Sequence, residues 1–195
     1  MADKPAPRPT KKLIWLLILL LLLAGATVVG IQLLTSARQP LPEAIEALTN
    51  DERVQVEHKP WLTLAPTQGA PDSAFIFYPG GRVDPRSYAS LLRAIAAEGY
   101  LVVVPEMPLN IAAFRPNIAD RIIAAHPEIS RWVIGGHSVG GAMAAQYTHT
   151  HSENIAGLAI WASYPPDKAD LSGVEIPVTS IYGSRETRVT DSSVA

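Results

Sequence analysis

Hydrophobic and polar positions along this chain follow two patterns, one typical of buried strands and one typical of helices. Continuous apolar runs such as AFIFY at 74–78 and YLVVV at 100–104 are typical of strands that are covered on both faces. Between these two runs, from Pro85 to Glu98, apolar residues recur at helical spacing. Because strands and helices alternate, we predict an α/β fold in which a mostly parallel sheet carries helices on both faces.

The same two patterns continue along the rest of the chain. Residues 54–57 alternate apolar and polar positions, as a half-buried strand does, and Pro116 interrupts an otherwise helical segment. Strands are predicted at residues 54–57, 61–64, 74–78, 100–104, 132–136, 155–161 and 176–182. Helices are predicted at residues 43–48, 85–98, 111–125 and 139–151.

The N-terminal region has a different pattern, an apolar run from Leu13 to Leu34 that contains no charged residue. About 20 apolar residues are enough to cross a bilayer as a helix, so we predict a single-pass transmembrane anchor here. A cleaved signal peptide is the alternative, because the small residues at 24–26 are suitable for signal peptidase. The run continues through Ile31 and Leu33, which favours the retained signal-anchor.

The charges that flank this run predict its orientation. Lys4, Arg8, Lys11 and Lys12 precede it, whereas Arg38 is the one cation close behind it. Positive residues favour the cytoplasmic side, so we expect a cytoplasmic N-terminus and an extracytoplasmic domain. If the segment is instead a cleaved signal peptide, the domain would be secreted. The predicted organisation is a basic N-terminus (1–12), a transmembrane anchor (13–34), a stalk (35–50) and an α/β domain (51–195).

The composition excludes several classes of function. The chain has 195 residues and a net charge of −2, which gives no electrostatic reason to expect a nucleic-acid partner. It contains no cysteine, which excludes disulfides, a thiol nucleophile and a cysteine-ligated metal. No metal or organic cofactor is expected, and the sequence leaves the oligomeric state open.

The motif GGHSVGG at 135–141 carries the candidate chemistry, because it joins a predicted buried strand to a helix of small residues. Its central residues form a G-x-S-x-G, which at such a turn raises a serine hydroxyl above the carboxyl ends of the strands. We therefore predict Ser138 as a nucleophile. The backbone N–H of Val139, at the start of the helix, is expected to face a developing oxyanion. A second oxyanion donor is expected from the loop Gly80-Gly81, which ends an earlier buried strand.

On these residues the chain resembles the α/β-hydrolase family, and within it the compact bacterial dienelactone-hydrolase-like branch, whose members are often membrane-anchored. The resemblance runs from about Val54 to Gly183. It rests on the blocks FIFYPGGRVDPRSYASLLRAIAAEGYLVVVPEMPLNIA, WVIGGHSVGGAMAA and GLAIWASYPPDKADLSGVEIPVTSIYGS. It implies acyl transfer from a small ester, thioester or lactone to Ser138, with an oxyanion hole formed by Val139 and the Gly80-Gly81 loop.

The resemblance also implies an acid and then a histidine after the nucleophile. It places the acid at Glu186, where the family has aspartate, and Asp191 on the same loop is the alternative. Either carboxylate is suitable, because the acid only orients and stabilises an imidazolium. Asp167 and Asp170, which follow the preceding strand, are weaker candidates.

The catalytic histidine is not found in the chain, because the family has it beyond the last predicted strand and no histidine follows His151. His137 lies inside the nucleophile turn, where the side chain normally packs away from the serine. His149 and His151 lie roughly 16–20 Å along the following helix, at about 1.5 Å per residue. We therefore expect a chain truncated before its base. The alternative is a non-catalytic binding or cell-surface protein on a degenerate hydrolase scaffold.

Overall fold

The computed structural model describes residues 10–184, which fall into two compact units that divide between Ser36 and Ala37. The first unit is one helix, α1 (Lys11–Thr35), whose N-terminus is capped by the Thr10 side chain. None of its residues is buried, although it is apolar on every side. A helix of this kind is unfavourable in water and favourable in a lipid bilayer. By length and composition, α1 is suitable as a membrane anchor or as a signal sequence.

The second unit is built around a mixed sheet that has seven strands within the described residues. Their order across the sheet is β1-β2-β4-β3-β5-β6-β7. The first two strands are antiparallel to their neighbours, and β4, β3, β5, β6 and β7 are parallel, so the carboxyl ends of five strands meet at one edge. The strands are β1 (Val54–Glu57), β2 (Leu62–Pro66), β3 (Ser73–Tyr78), β4 (Leu101–Val104), β5 (Arg131–His137), β6 (Gly157–Trp161) and β7 (Val178–Ile181).

Helices cover both faces of this sheet. They are α2 (Pro42–Glu46), α3 (Ala89–Ala97), α4 (Ile118–Ala125) and α5 (Val139–Thr150). Side chains alternate along β3, so that Ile76 and Tyr78 pack in one core with residues of α4 and α5. Phe75 and Phe77 point to the other face and pack in a second core with residues of α3. The predicted α/β class, with a mostly parallel sheet and helices on both faces, is confirmed.

The segment at 111–125, predicted as a helix interrupted at Pro116, is α-helical only after the proline. Two 3₁₀ turns, Pro108–Asn110 and Ala112–Phe114, precede α4, which starts at Ile118. The reason is Pro116, because a proline cannot donate a helical hydrogen bond and excludes the helical conformation for the residue before it. Arg115 accordingly has φ −149° and ψ 58°.

The segment predicted as a stalk at 35–50 packs on the second unit from Ala37 onward. Ala44 in α2 is only 5% exposed. The Arg93 guanidinium, on α3, donates to the carbonyl oxygens of Ala47 and Thr49 at 2.9 and 2.7 Å. Most of this segment is therefore part of the compact domain, because it covers α3.

Candidate active site

The turn between β5 and α5 holds Ser138 in a conformation that non-glycine residues rarely adopt, with φ 53° and ψ −125°. Three hydrogen bonds to the backbone groups of Ser138 fix it. The Ser138 N–H donates to the carbonyl oxygen of Trp161 at 2.9 Å, and the Ser138 carbonyl oxygen accepts from the N–H of Ala142 at 3.1 Å. The same carbonyl oxygen accepts from the hydroxyl of Ser163 at 2.6 Å. The strained turn is therefore held from β6 on one side and from α5 on the other.

The glycines of the motif are required by the close approach of β3 to this turn. A Cβ atom added to Gly136 would lie 2.6 Å from the carbonyl oxygen of Tyr78 and 2.6 Å from the carbonyl carbon of Gly140. A Cβ atom on Gly140 would collide with the carbonyl oxygens of Tyr78 and Pro79. Since these are backbone atoms, neither position has room for a side chain without moving a strand.

Two candidate oxyanion donors, Gly81 and Val139, belong to neighbouring segments of the structure. Val139 is the first residue of α5, so its N–H has no carbonyl partner within the helix and lies at the positive end of the helix dipole. A Cβ atom added to Gly81 would lie 3.9 Å from Cγ1 of Val139, which places Gly81 near the Val139 side chain. The N–H of Gly80, in contrast, donates to the hydroxyl of Tyr88 at 3.0 Å. Within residues 10–184, Gly81 and Val139 are therefore the members of the predicted set whose N–H groups have no such bond to a side chain.

The side chain of His137 also contacts this tyrosine. Its Nδ1 atom lies 3.0 Å from the Tyr88 hydroxyl, and the two ring centroids are 5.9 Å apart. Burial lowers the pKa of His137 below its ordinary value, which favours the neutral imidazole. The Tyr88 hydroxyl therefore contacts both the His137 ring and the N–H of Gly80.

Three other histidines of the second unit, His126, His149 and His151, have different partners. Nδ1 of His149 lies 2.6 Å from the carbonyl oxygen of Asp170, and His151 stacks on the ring of Tyr147 with 4.3 Å between centroids. Both lie at the C-terminal end of α5, whereas Ser138 lies at its beginning. His126 contacts the carboxylate of Glu128 at 3.0 Å. None of these contacts brings a histidine to the serine.

The predicted acids have different outcomes. Glu186 and Asp191 lie outside the described residues. Asp167 and Asp170 are exposed and follow β6, where they line a cavity of about 570 Å³ together with Ser163. The carboxylate of Asp170 accepts from the N–H of Ser172 at 2.9 Å. Hydrogen bonds from the backbone and from the side chain of Ser172 lower the pKa of Asp170.

Sequence reasoning missed two residues that contact the site. Tyr88 is one of the residues at helical spacing between Pro85 and Glu98, and that pattern contains no signal for a role of its hydroxyl. Ser163 follows β6 without any motif around it, although it is only 6% exposed. Its position just beyond the carboxyl end of the strand predicted at 155–161 is the one sequence feature that points to it. No cluster of metal-ligating side chains occurs among residues 10–184.

Comparison with known proteins agrees with this geometry. The model of the Alpha/beta hydrolase family matches residues 74–195. One similar solved structure is described as a dienelactone hydrolase from Klebsiella pneumoniae, with a TM-score of 0.54 and 18% identity over 68% of this chain and 70% of that one. Another is a hormone-sensitive lipase from a metagenome library, with a TM-score of 0.52 and 16% identity over 80% of this chain and 78% of that one. At these identities the two structures show a shared fold alone.

No curated protein matches the sequence. The family match covers more than half of the chain and includes β3 to β7 with the turn at Ser138. The similar structures carry the same arrangement of sheet and helices. The chain therefore belongs to the α/β-hydrolase family.

Proposed function

We propose that this protein is a serine hydrolase that cleaves a small ester, thioester or lactone by acyl transfer through Ser138. The observation that carries the proposal is the backbone of Ser138, with φ 53°, at the junction of β5 and α5. Strain of this kind persists only where the surrounding structure holds it, and it is concentrated at functional sites. At a strand-to-helix turn it raises the serine hydroxyl above the sheet, where a substrate has access.

The chemistry follows from the groups around this turn. The Ser138 oxygen attacks the carbonyl carbon of the substrate while a base takes its proton, and the carbonyl oxygen becomes an oxyanion. The N–H groups of Val139 and Gly81 stabilise this charge. Collapse of the tetrahedral intermediate expels the alcohol, thiol or ring alkoxide, and water then hydrolyses the acyl-enzyme. A single oxyanion donor is worth about 10²–10³ in kcat, so this arrangement supplies a large share of the catalysis.

Glu186 is proposed as the acid of the site, with Asp191 as the alternative, because β7 leads toward this part of the chain. No base is assigned. The five histidines of the sequence lie at or before His151, and the three nearest to α5 in sequence have the partners described above. An assay on this chain therefore needs an external base, which hydroxide supplies at alkaline pH.

We also propose that α1 anchors the domain on the extracytoplasmic side of a membrane. The proposal rests on the apolar run of α1 from Leu13 to Leu34 and on the cations that precede this run. Carbonate washing of membranes that carry the protein is expected to leave it in the pellet. Its release, together with the loss of the first residues by mass spectrometry, would indicate a cleaved signal peptide instead.

The test of the hydrolase proposal is covalent labelling of the serine. Phenylmethylsulfonyl fluoride is expected to modify Ser138 at alkaline pH, with the adduct located by mass spectrometry, and the protein is expected to hydrolyse 4-nitrophenyl acetate. Ser138→Ala should abolish both. Ser90→Ala is the matched control, since Ser90 is an exposed serine on α3 that donates to the Glu43 carbonyl oxygen. Full activity in the Ser138→Ala variant would contradict the assignment.

A non-catalytic binding protein on the same scaffold is the second candidate. It is favoured by the contacts of His137, His149 and His151, each of which engages a partner other than Ser138. In that case the domain would bind a small ester without consuming it, and Ser138 would resist the sulfonyl fluoride even at alkaline pH. Equilibrium binding without turnover in the wild-type protein is the observation that separates the two.

A further inference from the structure

The hydroxyl of Tyr88 lies between the loop after β3, which contains Gly80, and the nucleophile turn after β5, which contains His137. It accepts from the N–H of Gly80 at 3.0 Å and lies 3.0 Å from Nδ1 of His137. Since an amide N–H can only donate, the tyrosine oxygen is the acceptor in the first bond. Its own proton is then free to go to Nδ1, which requires a neutral imidazole with its proton on Nε2.

The electrostatics of both side chains favour this arrangement. Burial lowers the pKa of His137 and so keeps the ring neutral, with one nitrogen able to accept. Burial also raises the pKa of Tyr88, which keeps its hydroxyl protonated and able to donate. The chain of hydrogen bonds from Gly80 through Tyr88 to His137 therefore has one consistent direction.

The two residues at the ends of this series of hydrogen bonds, Gly80 and His137, are next in sequence to the proposed oxyanion donor Gly81 and the proposed nucleophile Ser138. His137 immediately precedes Ser138, and Gly80 immediately precedes Gly81, which lies near the Val139 side chain. The hydroxyl thus links the loop after β3 to the nucleophile turn after β5. A shift of this loop would move the Gly81 N–H relative to the Val139 N–H, and oxyanion stabilisation depends on the fixed position of both.

The tyrosine itself is held in place by its surroundings. Its side chain is 9% exposed, and its ring centroid lies 4.7 Å from that of Phe77, which in turn lies 4.7 Å from Trp161. The carbonyl oxygen of Trp161 is the acceptor for the Ser138 N–H. One aromatic cluster therefore supports the tyrosine hydroxyl and the nucleophile turn together.

The position of Gly80 has no room for a side chain. A Cβ atom at this position would lie 2.6 Å from Nδ1 of His137 and 2.9 Å from the Tyr88 oxygen. The glycine is thus needed for the close approach of these two side chains, and not for an unusual φ angle.

We propose that Tyr88 and His137 are positioning residues for the oxyanion hole, and that the Tyr88 hydroxyl holds the Gly80-Gly81 loop against the nucleophile turn. This inference rests on the proposed hydrolase function. It differs from a merely structural role, because it predicts a loss of chemistry at Ser138 that exceeds any loss of stability.

The experiment measures the rate at which phenylmethylsulfonyl fluoride modifies Ser138 in the full chain at alkaline pH. In this reaction an Oγ–S bond forms, the S–F bond breaks, fluoride leaves and hydroxide takes the serine proton. The sulfonyl oxygen occupies the position of the oxyanion. Tyr88→Phe keeps the ring and removes the hydroxyl, and it is expected to slow the labelling roughly ten-fold, because small displacements of a catalytic group have effects of this size or larger. Tyr100→Phe, at a tyrosine that is 45% exposed, is the matched control and should label at the wild-type rate.

Variants at His137 supply the second arm. His137→Asn places an amide oxygen near the position of Nδ1, so it can still accept from Tyr88, whereas His137→Leu cannot. We expect the Asn variant to label several-fold faster than the Leu variant. Nitrogen NMR of the wild-type protein should show Nδ1 of His137 without a proton, and Tyr88→Phe should shift that resonance.

The outcomes separate the two proposals. Wild-type labelling of Ser138 with an unchanged rate in Tyr88→Phe would overturn the positioning role and leave the hydrolase proposal standing. A proton on Nδ1 of His137 at neutral pH would also overturn it. An unlabelled Ser138 in the wild-type protein would overturn the hydrolase proposal, and the positioning role with it.

Discussion

The strand that carries the candidate nucleophile and the strand that leads toward the candidate acid are built differently. β5 pairs with β3 and β6, and Ile134 in its centre is fully buried. β7, among the described residues, pairs with β6, and its Val178 and Ile181 are 45% and 54% exposed. A groove of about 420 Å³ lies beside Ile181 and is also lined by residues such as Val133 and Trp161.

This difference shows which half of the site the described structure holds in place. The position of Ser138 is fixed by backbone hydrogen bonds to β6 and α5 and by glycines that leave no free space. β7 is also held by backbone hydrogen bonds to β6, but its surroundings are less crowded, since an added Cβ atom at Gly173, in the loop before β7, meets nothing within 4 Å. We therefore expect substitutions around β5 to be far more costly than equivalent ones around β7.

The largest difference is expected between two isoleucines. Ile134→Ala removes a fully buried side chain from the core shared with α5 and should reduce the free energy of unfolding by about 2–5 kcal/mol. Ile181→Ala makes the same chemical change on β7 and should cost about 0.5 kcal/mol, because the side chain is already half exposed. Urea unfolding followed by circular dichroism measures both. Equal losses would mean that β7 is covered in solution.

A smaller difference is expected between two glycines. Gly140→Ala forces a methyl group against the carbonyl oxygens of Tyr78 and Pro79, and overpacking of this kind costs about 1–3 kcal/mol. Gly173→Ala meets open space and should change the free energy of unfolding by less than about 0.5 kcal/mol. Thermal unfolding of the two variants gives the comparison. A stable Gly140→Ala protein would show that β3 and the nucleophile turn move apart easily.

The smallest effect concerns β1, the strand at the other edge of the sheet. The Asp51 carboxylate accepts from the N–H groups of Arg53 and Val54 at 2.8 Å and contacts the Arg93 guanidinium at 2.6 Å. The hydrogen bond from Arg93, followed by those from the two N–H groups, lowers the pKa of Asp51 to about 2.

Because this pKa is lower in the folded state, the stabilisation is complete above the ordinary pKa of 3.8 and is lost as the pH falls toward 2. The melting temperature of Asp51→Asn should therefore lie slightly below that of the wild-type protein near neutral pH, and the gap should close on acidification. The effect is small because the carboxylate is half exposed. A gap that widens in acid would refute this account of the β1 edge.

Much of the fold could be predicted because its signals are local. The buried run at 74–78 and the motif at 135–141 each place their element within a residue or two of the observed bounds. The segment at 111–125 is interrupted at Pro116 as predicted, and only the part after the proline is α-helical, because Pro116 overrides an apolar pattern that continues through it. The packing of the segment after Ala37, predicted as a stalk, has no local signal in the sequence, because this segment packs against α3, which lies more than 40 residues further along the chain.

By itself, the sequence determined the α/β order of elements, the apolar N-terminal helix and the strand-to-helix turn at Ser138, since each depends on periodicity and glycine positions within a short window. Only the tertiary structure decided that Ser163 bonds the Ser138 carbonyl oxygen, and that Tyr88 takes the Gly80 N–H and contacts His137. Residues 25 and 49 positions apart make these contacts. They exist because parallel strands bring their carboxyl ends together at one edge of the sheet, and no local pattern in the chain records which side chains meet there.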